Sequence, residues 1–125
     1  MALTIMLVDD DHASRIITKT LLQKNGYDIV ECKSGTEAVV RYMKTPCPVV
    51  LMDCGMPNMD GFTTTESIRL VEREQSLSPA YIIALTGQTH IDYRTQCKQV
   101  GMNDFLEKPF RAESLLLKLD IIPEI

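Results

Sequence analysis

Short apolar runs alternate with amphipathic stretches from one end of the chain to the other. Continuous apolar runs are typical of buried strands, and apolar residues three and four positions apart are typical of helices. By this criterion the pattern predicts five strands, at positions 3–8, 27–32, 49–52, 80–85 and 104–107. It also predicts five helices, over 12–25, from 34 onwards, over 62–75, over 89–100 and around 115–122.

Polar residues ahead of the first two predicted helices have the features of helix caps. Asp11 can cap the first helix, and Ser34 followed by Glu37 resembles a capping box for the second. The apolar stripe of the fourth helix is thin, so we expect that helix to be the least firmly packed. The positions that we expect to face the core are Ala13, Ile16, Ile17, Thr20 and Leu21, then Val39, Tyr42 and Met43, then Ile68 and Val71, then Ile91, Cys97 and Val100, and finally Leu115, Leu116, Leu119 and Ile122.

The alternation of strands and helices predicts the fold class. Wholly apolar central strands are typical of a parallel sheet that helices cover on both faces. We therefore predict a doubly wound α/β fold. The chain has 125 residues, which fits a single domain over 1–125, and no predicted loop is long enough to join a second one.

Composition narrows the possible functions. Lys and Arg total 13 against 17 Asp and Glu, the formal net charge is -4, and no basic run is present, so we expect no direct binding to nucleic acid. No apolar stretch approaches the roughly 20 residues of a membrane span, and the start lacks a signal peptide's basic segment. We expect a cytoplasmic domain without membrane contact. The 4 cysteines form no CxxC pair, which favours reduced, buried thiols.

Polar side chains stand at the ends of four predicted strands. In an open parallel sheet, the residues just past the carboxyl ends of the strands converge on one crevice. Here those residues are Asp9, Asp10, Asp53, Thr86 and Lys108. Each has an ordinary explanation by itself, as a turn, a helix cap or a strand end. Their coincidence at four strand ends favours a functional site.

The chemistry of these residues suits phosphoryl transfer. Clustered carboxylates repel one another and take up protons unless a cation neutralises them. Magnesium fits, because it prefers oxygen ligands and is usually held by one or two carboxylates together with a phosphate. Asp53 can supply a nucleophilic carboxylate, while Thr86 and Lys108 can donate to the phosphoryl oxygens.

Four segments resemble the receiver domains of two-component response regulators, and the resemblance spans essentially the whole chain. It implies a flavodoxin-like (CheY-like) sheet with the strand order 2-1-3-4-5. It also implies that Asp53 accepts a phosphoryl group from a phosphohistidine of a histidine kinase or a histidine phosphotransfer protein. The segments are LVDDD at 7–11, MDCGMPNMDG at 52–61, ALTG at 84–87 and FLEKPF at 105–110.

The same resemblance implies a metal site. Asp9, Asp10, Asp53 and the backbone carbonyl of Gly55 would hold Mg²⁺, and we expect Mn²⁺ to substitute for it. In the family, the positions of Gly55 and Gln88 influence how fast the acyl phosphate hydrolyses. Beside this site we expect Cys54 to be unreactive, because nearby carboxylates raise the pKa of a thiol.

A conformational switch is the third implication of the resemblance. Thr86 and Lys108 would bind the phosphoryl group. The Lys108–Pro109 peptide bond is expected to be cis. Phe105 matches the switch aromatic, where many members have tyrosine, so the ring can follow Thr86 but offers no hydroxyl. The predicted helix over 89–100 lies beside this pair and suits an element whose position depends on phosphorylation.

Two other functions can be weighed against a phosphoacceptor switch. A phosphatase of the haloacid dehalogenase type would need a second aspartate two residues after the nucleophile, where this chain has Gly55. A flavin-binding electron carrier would need a phosphate-binding loop after the first strand, where three aspartates would repel the phosphate.

The sequences of segments 52–61 and 101–110 most resemble those of receivers attached to hybrid sensor histidine kinases. We therefore expect a receiver from such a kinase, or else a stand-alone single-domain response regulator. The domain itself would phosphorylate itself from a donor and lose the group slowly, whereas a parent chain could be a membrane-anchored kinase. We expect a monomer, or a weak dimer through the fourth and fifth helices.

Overall fold

The computed structural model describes residues 3–55, 60–87 and 91–122, apart from the side chains of 91 and 92. Strands and helices alternate through these ranges as the sequence pattern predicts. The strands are β1 (Thr4–Val8), β2 (Asp28–Cys32), β3 (Val49–Asp53), β4 (Tyr81–Thr86) and β5 (Asp104–Glu107). The helices are α1 (His12–Lys24), α2 (Gly35–Lys44), α3 (Gly61–Glu74), α4 (Ile91–Val100) and α5 (Ala112–Asp120).

The strands form one parallel sheet in the order β2-β1-β3-β4-β5. This confirms the predicted doubly wound α/β fold and its strand order. Neighbouring residues of a strand point to opposite faces of a sheet, so a strand covered on both faces is apolar throughout. In β1, Met6 and Val8 join the core beneath α2, α3 and α4, while Ile5 and Leu7 join the core beneath α1 and α5.

The predicted helix caps are present. The Asp11 carboxylate accepts a hydrogen bond from the Ser14 backbone N–H at 2.8 Å, and the Ser34 hydroxyl accepts one from the Glu37 N–H at 3.1 Å. Each bond satisfies a donor that the first turn of a helix leaves unpaired. These caps therefore mark where α1 and α2 begin.

The expected core-facing side of α1 is wrong. Ile16 and Ile17 are 42% and 70% exposed, whereas Arg15, Thr18 and Leu22 are buried. Polar side chains reach the buried side because they find partners there, and the hydrophobic pattern of the sequence does not record those partners. Of the residues expected inside, Leu21 packs against the core, while Ala13, Ile16, Ile17 and Thr20 are exposed.

The inward faces of the other helices follow the prediction more closely. Tyr42 is fully buried and Val39 packs against the core, but Met43 is 49% exposed, so its predicted burial is wrong. The side chain of Ile91 lies outside the described residues. The confirmed core-facing residues are Ile68 and Val71 on α3, Cys97 and Val100 on α4, and Leu115, Leu116 and Leu119 on α5, with Ile122 just after it.

The remaining expectations about the whole chain concern cysteines and membranes. Cys32, Cys47, Cys54 and Cys97 are all buried and unpaired in disulfides, as expected of small apolar side chains in a reduced state. Within the described part of the chain, no helix has the length and apolar character needed to cross a membrane.

Candidate functional site at the carboxyl edge of the sheet

The structure brings the predicted site residues together at one edge of the sheet. Asp9 directly follows β1, Asp53 ends β3, and Lys108 directly follows β5. The Lys108 ammonium lies 3.7 Å from Asp9 Oδ2 and 3.5 Å from Asp53 Oδ1. Ligand oxygens of Asp9, Asp10 and Asp53 lie within 4.8 Å of one another. The parallel order of the strands produces this convergence, since every strand ends at the same edge.

Asp9 is a fully buried carboxylate with one satisfied oxygen. Its Oδ1 accepts a hydrogen bond from the Asp11 N–H at 2.9 Å, whereas among the described residues Oδ2 has no hydrogen-bond partner. Lys108 at 3.7 Å is too far for a hydrogen bond to Oδ2 and supplies only charge. Burial raises the pKa of Asp9, and the nearby Asp53 charge adds to this, while the Asp11 N–H, the Ser14 side chain and Lys108 oppose it.

The donor set fits a hard divalent cation. A buried carboxylate oxygen without a partner is costly, and a metal ion that binds it removes this cost. Asp10 is exposed and so offers its carboxylate from the solvent side. The backbone N–H of Gly55 donates to Asp53 Oδ1 at 3.0 Å, which places the Gly55 backbone at the site. Three carboxylates and a few waters are the kind of oxygen ligands that Mg²⁺ prefers.

The end of β5 is tied to the end of β4 beside these carboxylates. The Lys108 N–H donates to the Thr86 carbonyl at 2.7 Å. The Lys108–Pro109 peptide bond is cis, which confirms that expectation. The Thr86 side chain is only 3% exposed. Thr86 therefore ends the strand beside β3, and the residue after β5 places its ammonium 3.5 Å from Asp53 Oδ1.

Tyr93 of α4 contacts the Thr86 side chain, and sequence reasoning did not single it out. The Tyr93 hydroxyl interacts with the Thr86 side chain and with the Cys54 thiol. Its ring packs edge-on against Phe62 of α3, with ring centroids 5.1 Å apart. Burial raises the pKa of Tyr93 to about 12; the Cys54 thiol adds to this shift and the Thr86 side chain opposes it. The signal in the sequence was a tyrosine in a helix with few apolar residues.

Phe105 of β5 is partly buried and lies under two cations. The Arg94 guanidinium of α4 is 4.5 Å from the ring centroid, and the Lys118 ammonium of α5 is 5.9 Å from it. Such contacts stabilise an aromatic ring by about 0.5–1 kcal/mol at exposed sites. The ring therefore connects the α4 and α5 faces on either side of β5. Gln88, whose position the receiver resemblance associates with acyl phosphate hydrolysis, lies outside the described residues.

The comparisons with known proteins agree with this geometry. The family model described as the response regulator receiver domain matches residues 5–120. The chain belongs to the receiver domain family. Receiver domains are parts of two-component signal transduction systems and interact with histidine kinases or phosphotransfer proteins. These matches do not support the haloacid dehalogenase alternative.

Relatives of this receiver domain include both long kinases and short regulators. Hybrid signal transduction histidine kinase B of Dictyostelium discoideum is 36% identical over 123 residues, which cover 92% of this chain and 6% of that protein. Chemotaxis protein CheY of Bacillus subtilis is 34% identical, with 93% of both chains covered. The chain thus spans a small part of its hybrid kinase relatives and nearly all of CheY.

Solved structures share the fold, and more than one of them contains Mg²⁺. CheY4 of Vibrio cholerae superimposes with a TM-score of 0.88 at 29% identity, covering 96% of this chain and 98% of the other. The receiver domain of a sensor histidine kinase from Pseudomonas aeruginosa has a TM-score of 0.83 at 32% identity, with 96% of each chain covered. That structure has a magnesium ion coordinated in its active site cleft.

Cys54 and Gly61 are closely packed beside Asp53 of the receiver site. Burial raises the pKa of Cys54 to about 12, so the thiol beside Asp53 stays protonated, in line with the expectation that it is unreactive. A Cβ on Gly61 would lie 2.7 Å from the Asp53 carbonyl oxygen and 2.9 Å from Cys54 Cα. The start of α3 therefore rests directly on the end of β3, and sequence reasoning did not anticipate that contact.

Proposed function

We propose that this receiver domain accepts a phosphoryl group on Asp53 and thereby switches its contacts with other proteins. The observation that carries the proposal is the grouping of the Asp53 carboxylate with the Lys108 ammonium at 3.5 Å and with the partnerless Oδ2 of buried Asp9. A nucleophile, a positive charge and a cation-binding oxygen are the parts that phosphoryl transfer requires.

The chemistry is a transfer from nitrogen to oxygen. A carboxylate oxygen of Asp53 attacks the phosphorus of a phosphohistidine, a P–O bond forms, and the P–N bond breaks. The electron pair of the broken bond stays on the imidazole nitrogen, which takes up a proton or already carries one on its other nitrogen. The Lys108 ammonium and the Thr86 hydroxyl donate to the phosphoryl oxygens and stabilise the charge that they carry.

The proposed metal ligands are Asp9, Asp10, Asp53 and the backbone carbonyl of Gly55. When bound, Mg²⁺ neutralises these carboxylates and screens the charge of the incoming phosphoryl group. Mn²⁺ is proposed as a substitute, because it accepts the same oxygen ligands.

The proposed switch runs through Thr86 and Phe105. The Thr86 side chain interacts with Tyr93 of α4. When Thr86 turns toward a phosphoryl group on Asp53, that interaction is lost and α4 is held less firmly. Phe105 is packed between β5 and the cations of α4 and α5, so a change at α4 alters its environment as well. The single domain over 1–125 is proposed to act as a monomer or a weak dimer through α4 and α5.

The donor is proposed to be a histidine kinase or a histidine phosphotransfer protein that docks beside the site. Ile17 of α1 is 70% exposed and lines a cleft of about 490 Å³ that extends to Lys108, Pro109 and Phe110. A protein that brings a phosphohistidine to Asp53 has to cover this cleft and the exposed side of α1 beside it, which we call the α1 rim. We further propose that the domain works within a hybrid sensor histidine kinase or as a stand-alone response regulator.

Incubation with Mg²⁺ and a small acyl phosphate, followed by intact mass measurement, tests the proposal. We expect a lasting mass gain of one phosphoryl group, which the Asp53→Asn variant lacks. Donor hydrolysis over many turnovers without any adduct would instead indicate a phosphatase. An unchanged mass under every condition would overturn the phosphoacceptor function.

A further inference from the structure

Arg15 of α1 is a buried cation whose guanidinium reaches the backbone of a proposed metal ligand. The residue is 4% exposed. Its Nη1 donates to the Asp9 carbonyl oxygen at 2.9 Å, and its Nε lies 3.3 Å from Glu31 Oε1 on β2. Its Nη2 is 3.2 Å from His12 Nδ1. A buried charge is costly without partners, so this arrangement needs a reason beyond packing.

The contacts of Asp9 supply that reason. Its backbone N–H donates to the Cys32 carbonyl at 3.1 Å, its Oδ1 accepts from the Asp11 N–H, and its carbonyl accepts from Arg15. In the described part of the chain, Arg15 is the one side chain that bonds to the Asp9 backbone. With these three bonds in place, Oδ2 is the atom of Asp9 left to bind a cation.

We propose that Arg15 is a positioning residue for the divalent-cation site. By holding the peptide that follows Asp9, its guanidinium fixes where Asp9 Oδ2 points. Glu31 pairs with the guanidinium in turn, and Lys19 pairs with Glu31 at 2.8 Å. These ion pairs connect α1 to β2. The inference rests on the proposed metal site at Asp9, Asp10 and Asp53.

Charge and position predict opposite effects when Arg15 is replaced. A positive charge near a cation site repels the cation, so simple electrostatics predicts tighter binding after the charge is removed. A positioning role predicts weaker binding, because partners that orient metal ligands typically contribute about 10–100-fold to metal affinity. The sign of the change therefore separates the two.

Arg15→Met is the decisive variant, since methionine keeps much of the apolar stem but offers no donor. Arg15→Lys keeps the charge but replaces the planar fork with a compact ammonium that has three rotatable N–H donors. Arg69→Met is the matched control. Arg69 likewise donates to a backbone carbonyl, that of Gly101 at 2.6 Å and 3.0 Å, and pairs with Glu72 at 2.8 Å, but it belongs to a network away from the metal site.

The measurement is equilibrium binding of Mn²⁺ alone, followed by electron paramagnetic resonance, and of Mg²⁺ alone by calorimetry, without a phosphoryl donor. We expect Arg15→Met to bind about tenfold more weakly than the wild type or worse. We expect Arg15→Lys to fall between them and Arg69→Met to match the wild type. In acyl phosphate reactions, Arg15→Met should need more Mg²⁺ for half-maximal rate while reaching a similar rate at saturation.

Equal or tighter binding by Arg15→Met would overturn the inference. So would an equal loss in Arg69→Met, because that would show a general effect of weakened folding. If Arg15→Met does not fold, wild-type affinity in Arg15→Lys together with an unchanged Mg²⁺ requirement would overturn it too. A wild-type chain that binds neither cation would overturn the proposed metal site itself, which is a distinguishable result.

Discussion

Gly61 is the position where a single added methyl group should disturb the site most directly. A Cβ there would lie 2.7 Å from the Asp53 carbonyl oxygen and 2.9 Å from Cys54 Cα. Both neighbours are backbone atoms of the strand end that presents Asp53, so neither can rotate out of the way. Gly61→Ala therefore has to push the start of α3 away from β3, or move the Asp53 peptide.

The size of the effect follows from two opposing contributions. Forcing extra atoms into a packed site typically costs about 1–3 kcal/mol. Alanine stabilises a helix by about 0.5–1 kcal/mol relative to glycine, which offsets part of that cost. We expect a net loss of about 1–2 kcal/mol in the free energy of unfolding, and a fall in Tm of about 3–10 °C.

Gly87→Ala is the matched control, because a Cβ on Gly87 meets no atom within 4 Å. Urea unfolding of the metal-free wild type and both variants gives the free energies, and thermal melts give the Tm values. We expect Gly87→Ala to stay within about 0.5 kcal/mol of the wild type. The reasoning is refuted if Gly61→Ala is as stable as Gly87→Ala and accepts the phosphoryl group at the wild-type rate.

Three further predictions concern Asp9, Lys108 and Ile17. Burial raises the pKa of the Asp9 carboxyl in the folded chain. The stability that Asp9 contributes is therefore fully present below the pKa that Asp9 has in the unfolded chain, and it is lost as the pH rises through the pKa that Asp9 has in the folded chain. At pH 7 without metal, Asp9→Asn should therefore stabilise the protein by on the order of 1 kcal/mol, and it should remove any rise of Tm with Mg²⁺. Thermal melts with and without Mg²⁺ check this. A metal-free Tm lower than that of the wild type would contradict it. Lys108→Ala should still accept a phosphoryl group but lose the change in α4 amide exchange that phosphorylation produces in the wild type, and a wild-type exchange change would refute this. Ile17→Glu should slow phosphorylation by a phosphohistidine protein about tenfold or more and leave phosphorylation by a small acyl phosphate unchanged, because only the protein donor covers the α1 rim; equal rates from the protein donor in variant and wild type would contradict it.

The sheet and its site edge could be predicted because both depend on local patterns. A strand buried on two faces has to be apolar, and a polar residue that ends such a run marks the strand's carboxyl end. Asp9, Asp53, Thr86 and Lys108 were found in this way, and the strand order brought them together. The roles of the individual residues remain proposals that the experiments above test.

The misses involve contacts between residues distant in sequence. Arg15 and Thr18 occupy the buried side of α1, although Ile16 and Ile17 are more apolar, because the guanidinium finds Glu31 and the Asp9 carbonyl there. Tyr93 reaches Thr86 only once α4 has packed against α3 and β5. A hydrophobic pattern records which residues avoid water, and it does not record which polar residues have found partners.

Phosphorylation of Asp53 is the central claim, and one measurement tests it most directly. A phosphohistidine protein or a small acyl phosphate is mixed with the wild type and with Asp53→Asn in Mg²⁺, and intact mass and peptide mapping locate any added phosphoryl group. The account predicts one phosphoryl group on Asp53 in the wild type, lost when Mg²⁺ is chelated beforehand, and none in Asp53→Asn. A wild-type chain that gains no phosphoryl group, or gains it at another residue, would contradict it.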